Sequence, residues 1–394
     1  MILFIILIAV EIMTFTVIHK MFYDKFWIRY YFAMLVNISL SILLWAVWFQ
    51  LSLFQGFYDD SSHVALMLAL NGLLSAVVVP RIVIIITFYS ASAIKNLRRR
   101  RLFKTLGTGI ALLIFAVITT GTFFGRFNFR TEHITLHINN LHKDLEGLKI
   151  VHISDLHLPS FYHYTDRLVE AMNKINELEP DIIINTGDYV NYGCREFTGF
   201  DSILCIAKSR YGNYSVMGNH DFGTYHPYYT QAERRNNALI MNNMITSSGY
   251  RVLNDESVVL NIGNARLGLA GVITMGAFPD IIHGNLRKAI SGIDSTDLNI
   301  LMTHDPNHWI KEVKNKAEIQ LTLSGHTHGM QMGVYTRKFR WSPARHFYPY
   351  WSGLYKEGDQ YLVVNSGLGI LGIPYRIWMP PVITVIELKA NRNT

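Results

Sequence analysis

The sequence predicts an α/β domain carried behind an α-helical transmembrane region. Three observations lead there. Apolar residues concentrate in the first 124 positions, short β-rich runs alternate with polar helical stretches from about residue 130, and short motifs rich in Asp, Asn and His fall at the ends of those runs.

The apolar half of the argument comes first in the chain. Hydrophobic residues make up 50% of 394 residues, and mean hydropathy is +0.18. A soluble enzyme of this length needs less apolar surface. Four segments account for the excess: about 1–19, about 32–54 with Tyr31 just ahead of it, a third within 63–94, and about 106–124. A span needs about 20 mostly apolar residues, and each segment meets that. The first lacks a basic start and a small-residue cleavage site, and Glu11 interrupts it. An uncleaved helix therefore fits better than a signal peptide.

Charge follows the same division. Residues 1–124 carry a formal charge of +6 and the remainder +1. The basic pI belongs to membrane flanks and not to a concentrated basic face, which argues against nucleic acid as a partner. Lys20, Lys25 and Arg29 lie between spans one and two, and Asp59 and Asp60 between spans two and three. Lys95, Arg98, Arg99, Arg100, Arg101 and Lys104 lie between spans three and four. Basic loops stay cytoplasmic. The prediction is a multi-pass protein of the cell membrane whose C-terminal domain is extracytoplasmic. Pro80–Arg81 interrupts the third segment, and two crossings or a re-entrant path there would reverse that parity. Glu11 and Arg81 are rare intramembrane charges that pair with each other or reach an interface.

Residues 125–144 read as a linker and a leading strand, and 145–390 as the catalytic domain. Strands are expected over 148–154, 181–186, 213–217, 265–272, 298–303, 318–323, 360–365 and 382–388. Residues 164–178 have apolar positions at helical spacing, closed by Pro180. Strand–helix–strand order implies an α/β architecture.

The motifs are Ser154-Asp155-Leu156-His157, Thr186-Gly187-Asp188, Gly218-Asn219-His220-Asp221, Thr303-His304-Asp305 and Gly325-His326-Thr327-His328-Gly329. Each follows a predicted strand, where α/β sheets build their ligand sites. Oxygen donors come from Asp155, Asp188 and Asn219, and imidazoles from His157, His304, His326 and His328. A mixed N/O set suits two divalent ions such as Mn, Fe, Zn, Co or Ni better than Ca. On an extended segment, His326 and His328 would point to opposite sides and serve different ions. Asp188, with two oxygens, could bridge them.

These five motifs, in this order, resemble the calcineurin-like metallophosphoesterase superfamily. More narrowly they resemble its bacterial membrane-associated branch, which includes proteins similar to UDP-2,3-diacylglucosamine diphosphatases. The resemblance covers about 145–390 and implies a four-layer α/β/β/α sandwich. It implies one metal held by Asp155, His157, Asp188 and His328, and another held by Asp188, Asn219, His304 and His326. It makes His220 the general acid for the leaving oxygen and Asp221 the residue that orients it. It also places Ser366-Gly367-Leu368-Gly369, Pro374 and Arg376 near the metals. Two metals about 3.5–4 Å apart can supply a water-derived nucleophile at neutral pH and clamp the phosphoryl oxygens. His220 then protonates the leaving group.

Other residues have weaker readings. Asp221 and Asp305 read equally well as turn residues. His152 reads as a strand residue and His163 as a loop residue near substrate. Cys194 and Cys205 are too few for a metal site or disulfide framework and read as ordinary thiols, or as a single disulfide if the domain faces an oxidising compartment. Tyr335–Trp351 mixes Arg337, Lys338, Arg340 and Arg345 with aromatics, which suits a membrane interface or lipid headgroup, or a loop beside the site.

The function expected is hydrolysis of a phosphoester or pyrophosphate bond of an amphiphilic or membrane-proximal substrate, either a phosphorylated small molecule or a lipid-linked one. UDP-2,3-diacylglucosamine is one concrete version, but its cytoplasmic reaction conflicts with the outward topology. The alternatives are a phosphodiesterase or phosphatase for soluble extracytoplasmic phosphate compounds, and a membrane sensor or scaffold that keeps the phosphatase fold.

Overall fold

The computed structural model describes residues 2–23, 26–53, 58, 60–274, 284–336 and 339–391. Lys25, Asp59, Arg337 and Lys338, named above, lie outside the described residues. The chain divides into two compact units.

The first unit is helical. Its long helices are α1 (Ile2–Phe22), α2 (Trp27–Leu53), α3 (Ser61–Ser90) and α4 (Leu97–Phe123). All four are long and apolar enough to cross a membrane. Their surface inverts the soluble pattern, with Ile5, Trp27, Phe32, Leu35, Leu112 and Leu113 exposed while Arg81, Asn37 and Ser41 are buried. The Arg81 guanidinium lies 2.6 Å from Glu11 and donates to the Asn37 carbonyl at 3.1 Å and to Ser41 Oγ at 3.0 Å. Of the two readings of these charges, the pair is the one that forms. The third apolar segment is one uninterrupted helix through Pro80. A helix tolerates proline there because neighbouring helices satisfy the freed backbone groups. The basic run 98–101 is not a loop: α4 begins at Leu97, capped by Asn96, whose side chain accepts from Arg99 N at 3.0 Å. Arg and Leu are good helix formers, and hydropathy alone does not register their helix.

The second unit is built on two six-stranded sheets. Its strands are β1 (Arg130–Ile138), β2 (Lys149–Ile153), β3 (Ile182–Asn185), β4 (Asn213–Ser215), β5 (Tyr250–Val252), β6 (Glu256–Ile262) and β7 (Ala265–Val272). They continue as β8 (Leu298–Thr303), β9 (Leu321–Ser324), β10 (Val334–Tyr335), β11 (Arg340–Trp341), β12 (Gly353–Glu357), β13 (Gln360–Val364) and β14 (Val382–Ala390). The helices are α5 (Thr165–Glu177), α6 (Asp201–Leu204), α7 (Gln231–Ser247) and α8 (Leu286–Ile290). One sheet runs β1-β14-β2-β3-β4-β5 and the other β12-β13-β9-β8-β7-β6, and β10 and β11 form a small hairpin.

Period-two patterning stacks the layers. Ile150, Ile182 and Ile184 face Leu267, Leu269, Ile300, Leu321 and Val363 between the sheets. The alternate residues Val151, Ile153 and Ile183 pack outward against Leu168, Met172, Met241 and Ile245 of α5 and α7. On the far side, Leu301, Leu362 and Val364 pack against Leu286, Ala289 and Trp309. The result is the expected four-layer α/β/β/α sandwich. The sequence reading missed α7, whose buried positions are only Asn237, Met241 and Ile245, although Thr230 and Glu233 form a capping box at its start. β1 pairs with β14 over the whole span Arg130–Ile138, so it belongs to the sheet.

β2, β3 and β4 are mutually parallel, as are β7, β8, β9 and β13. Their carboxyl ends therefore gather, and all five sequence motifs follow such ends.

Candidate metal centre

The tips of β2, β3, β8 and β9 bring six side chains into one buried cluster. His157 Nε2 lies 3.1 Å from His328 Nε2, and His328 Nε2 lies 3.3 Å from Asp155 Oδ1. His304 Nε2 lies 2.9 Å from Asp188 Oδ2 and 3.2 Å from His326 Nδ1. Asp188 also reaches toward the first group, 3.9 Å from His157 Nε2. Asp155–His157–His328, His157–Asp188–His220 and Asp188–His304–His326 are each close enough to hold a metal ion.

The far nitrogen of each ring decides what the near one can do. His157 Nδ1 donates to Asn191 Oδ1 at 3.1 Å, and His304 Nδ1 donates to the Thr186 carbonyl at 2.7 Å. Both rings therefore turn Nε2 to the cluster, His157 as a lone pair and His304 as a lone pair once its Nε2 proton is displaced. His326 Nε2 meets the Tyr348 hydroxyl at 3.0 Å, which leaves Nδ1 facing inward. Asn219 Oδ1 is buried without a hydrogen-bond partner, while its amide nitrogen donates to the Tyr225 hydroxyl at 3.0 Å. Converging lone pairs and an orphaned carbonyl oxygen are the donor set a divalent cation needs.

Electrostatics agree. Burial pushes the Asp155 carboxyl up to about 6 and the His157 ring down to about 3. Burial would also raise Asp188, but the positive charge of His304 and then His220 hold it well below the usual carboxylate range. Burial would lower His304, but the Asp188 and Asp155 carboxylates carry it up to about 10. A proton on His304 thus holds the charge balance that a cation would take over.

Backbone strain marks the same place. Asp155, His157, Asp188, His326 and His328 all have left-handed φ, between 40° and 72°. Such conformations cost about 1–3 kcal/mol each for non-glycine residues and persist where the surroundings over-determine them. The His326–His328 segment is therefore a tight turn and not the extended segment expected. Its two rings diverge because of that turn. Close approach explains two glycines: a Cβ on Gly218 would strike the Asp188 carboxylate, and one on Gly325 would strike Ser154 and Asp155.

The remaining expectations divide: those for Asp221 and His163 are corrected, and the readings of Asp305 as a turn residue, His152 as a strand residue and the cysteines as thiols hold. Asp221 does not touch the His220 ring. Its carboxylate accepts from the backbone N–H groups of Asp188, Tyr189 and Gly218 at 2.8–2.9 Å, tying two motif loops together. His220 Nδ1 donates instead to the Asn191 carbonyl at 2.6 Å, and the ring stacks on Tyr225. Asp305 caps a turn, accepting from Asn307 N. His163 is exposed and packs beside Tyr162, away from the cluster. His152 is a buried strand residue bonded to Thr186 Oγ1 at 3.0 Å. Cys194 and Cys205 are free thiols.

Sequence reasoning missed Asn191, which holds both His157 and His220, and Tyr225 and Tyr348. Nothing local marks them. Asn191 carries only the signal of lying three residues after Asp188. Arg376, buried, donates to the carbonyls of Ser366, Gly367 and Gly369 and lies 3.5 Å from His328 Nδ1, so the 366–369 run packs at the cluster.

The chain matches the family of calcineurin-like phosphoesterases over residues 148–330, a span that contains every motif above. This part of the chain belongs to the calcineurin-like metallophosphoesterase superfamily. Members of this metal-dependent superfamily are phosphoesterases. Among relatives, an uncharacterized metallophosphoesterase, YkuE, of Bacillus subtilis is 25% identical over 75% of this chain and 99% of its own length. A "transmembrane protein with metallophosphoesterase domain" of Danio rerio is 29% identical over 72% of this chain and 62% of its own length. An uncharacterized metallophosphoesterase of Aquifex aeolicus is 28% identical over 72% of this chain and 99% of its own length.

Proposed function

We propose that this protein is a membrane-anchored, two-metal phosphoesterase with its catalytic domain within residues 125–390. The observation that carries the reading is the pair of inward-facing Nε2 atoms of His157 and His304, each fixed by a hydrogen bond from the opposite ring nitrogen. Asp155, His157, Asp188 and His328 would hold one divalent ion, and Asp188, Asn219, His304 and His326 the other. A divalent pair supplies a water of lowered pKa and positive charge for the phosphoryl oxygens.

The chain's own groups do the rest. The Asn191 carbonyl holds His220 by Nδ1, which leaves Nε2 to carry a proton to the departing oxygen. Tyr225, stacked on that ring, fixes its plane. Asp221 acts as a positioning residue by fixing the 188 and 218 loops.

Anchoring is supported by the four apolar helices and by relatives named as transmembrane proteins. The unbroken α3 supports four crossings, and the basic residues flanking the helices then favour an extracytoplasmic catalytic domain. Phe339, Trp341 and Phe347, exposed among Arg340 and Arg345, support an amphiphilic or membrane-proximal substrate.

The test is hydrolysis of an aryl phosphodiester by the full chain in detergent. Turnover should vanish with a chelator and return with Mn, Co, Ni or Zn. No turnover with any divalent ion would favour the sensor or scaffold reading.

A further inference from the structure

A second cavity lies in the catalytic unit, lined by residues that the reaction above does not use. It encloses about 720 Å³. That is within the size range of small-molecule sites, about 300–1,000 Å³. Its floor is the start of β1, Arg130–His133, beside Val382 of β14. One wall is the β10–β11 hairpin, through Tyr335, Thr336 and Arg340, and the other is Ser366, Met379 and Pro380.

Two features of this lining point to a ligand. The Arg130 guanidinium has no ion-pair or hydrogen-bond partner among the described residues, although its backbone N–H donates to Pro381. Ser366 Oγ is buried, with the residue 1% exposed, and has no hydrogen-bond partner. A buried hydroxyl left unpaired is destabilising, and a ligand oxygen would relieve it.

The charge of the lining selects the ligand. Its sole carboxylate, Glu132, is already engaged, accepting from the Tyr335 hydroxyl at 2.9 Å and facing Arg340 at 3.7 Å. Arg340 is itself stacked over the Tyr335 ring, 4.3 Å from its centroid. These contacts preorganise one guanidinium, and the other stands free. A fork of N–H donors beside hydroxyls matches a tetrahedral oxyanion, and guanidinium pairs bidentately with phosphate. A cation would be repelled. Met379, Pro380 and Val382 supply an apolar wall for a carbon substituent.

We infer that this cavity is a metal-independent binding site for a phosphate-bearing organic anion, held by Arg130, Arg340 and Ser366. It adjoins the metal centre through the chain, because Gly367 follows Ser366 and lies against Asp155. The phosphate chemistry is common to a lipid headgroup and to a soluble phosphate ester.

The experiment is calorimetric titration of the full chain in detergent, stripped of metal by chelation, with glycerol phosphate and with dihexanoyl phosphatidate. One saturable site per chain is expected. Arg130→Gln with Arg340→Gln should weaken it at least about tenfold, and Ser366→Ala should weaken it less. Asp188→Asn, which removes the proposed bridging carboxylate, should leave it unchanged, so this result does not depend on catalysis. Tighter binding of the phosphatidate assigns the site to a lipid headgroup, and equal binding assigns it to soluble esters. Absence of saturable binding overturns the inference. So does binding that survives the double arginine change but is lost in Asp188→Asn.

Discussion

The helical unit and the catalytic unit turn opposite kinds of residue outward, although both bury apolar side chains. In the helices, Ile5, Trp27, Leu35 and Leu112 lie outside and the Glu11–Arg81–Ser41 cluster lies inside. In the sandwich, isoleucines and leucines fill the space between sheets, and the polar cluster sits at the strand tips. An outward apolar surface of this extent suits surroundings that are not water, in keeping with four helices long and apolar enough to cross a membrane. The charges also differ in kind. Arg81 and Glu11 satisfy each other. The imidazoles of the candidate metal centre turn ring nitrogens inward beside Asp155 and Asp188 and leave charge for cations to complete. A closed pair reads as structure, and an open cluster reads as chemistry.

The largest effect should come from removing the carboxylate shared by the two halves of the open cluster. Asp188→Asn should abolish loading of both cations and lower turnover by at least about a thousandfold. Metal stoichiometry and aryl phosphodiester kinetics would check this; full loading would break the contrast drawn above. Next, His220→Ala should retain both cations yet lose about 10²–10⁴ in rate, most with poor leaving groups. Loss of metal instead would make His220 a ligand.

On the helical side, Arg81→Leu leaves the largely buried Glu11 carboxylate without its countercharge, held only by the Ser41 hydroxyl. It should cost about 3–5 kcal/mol of stability in detergent, and the added change Glu11→Leu should restore most of it. Thermal unfolding of the two variants would settle this. Turnover unchanged in the double variant would confine the pair to structure. A smaller effect is expected from Asn191→Ala, which frees the far nitrogen of His157 but keeps the backbone carbonyl that holds His220. Loss of such an orienting partner costs about 10–100-fold in metal affinity or activity.

The smallest step is in pH. Burial would lower His304, but its carboxylate neighbours raise it to about 10 in the cation-free protein. The stability this pairing contributes is therefore complete below the unfolded histidine value, about 6.5, and is lost as pH rises through about 10. A cation must displace that proton, so its affinity should rise about tenfold per pH unit between pH 7 and 9. Titration against a competing chelator measures the slope. A flat profile would mean His304 is already unprotonated.

Local pattern carried much of this protein. Hydropathy located α1 to α4, and short continuous apolar runs located β2 and β3, because a strand buried on both faces is apolar along most of its length. It failed where packing overrode pattern. α7 has too few apolar positions to declare a face. The basic run before the fourth apolar segment looked like a loop and is the first turn of α4. In the centre, residue type and position after a strand were enough to name Asp155, His157, Asp188, Asn219, His304, His326 and His328 as candidates. They could not say what holds those side chains.

Composition along the chain was enough to separate the apolar helices from the sandwich and to place donor atoms at the strand ends. It took the folded arrangement to show that Glu11 meets Arg81, that Asn191 rather than Asp221 holds His220, and that Arg130 lines a cavity with Ser366. Those facts join residues about 30 to 240 positions apart. No local periodicity encodes such contacts, because they exist only after loop closure has been offset by burial of the surfaces between them.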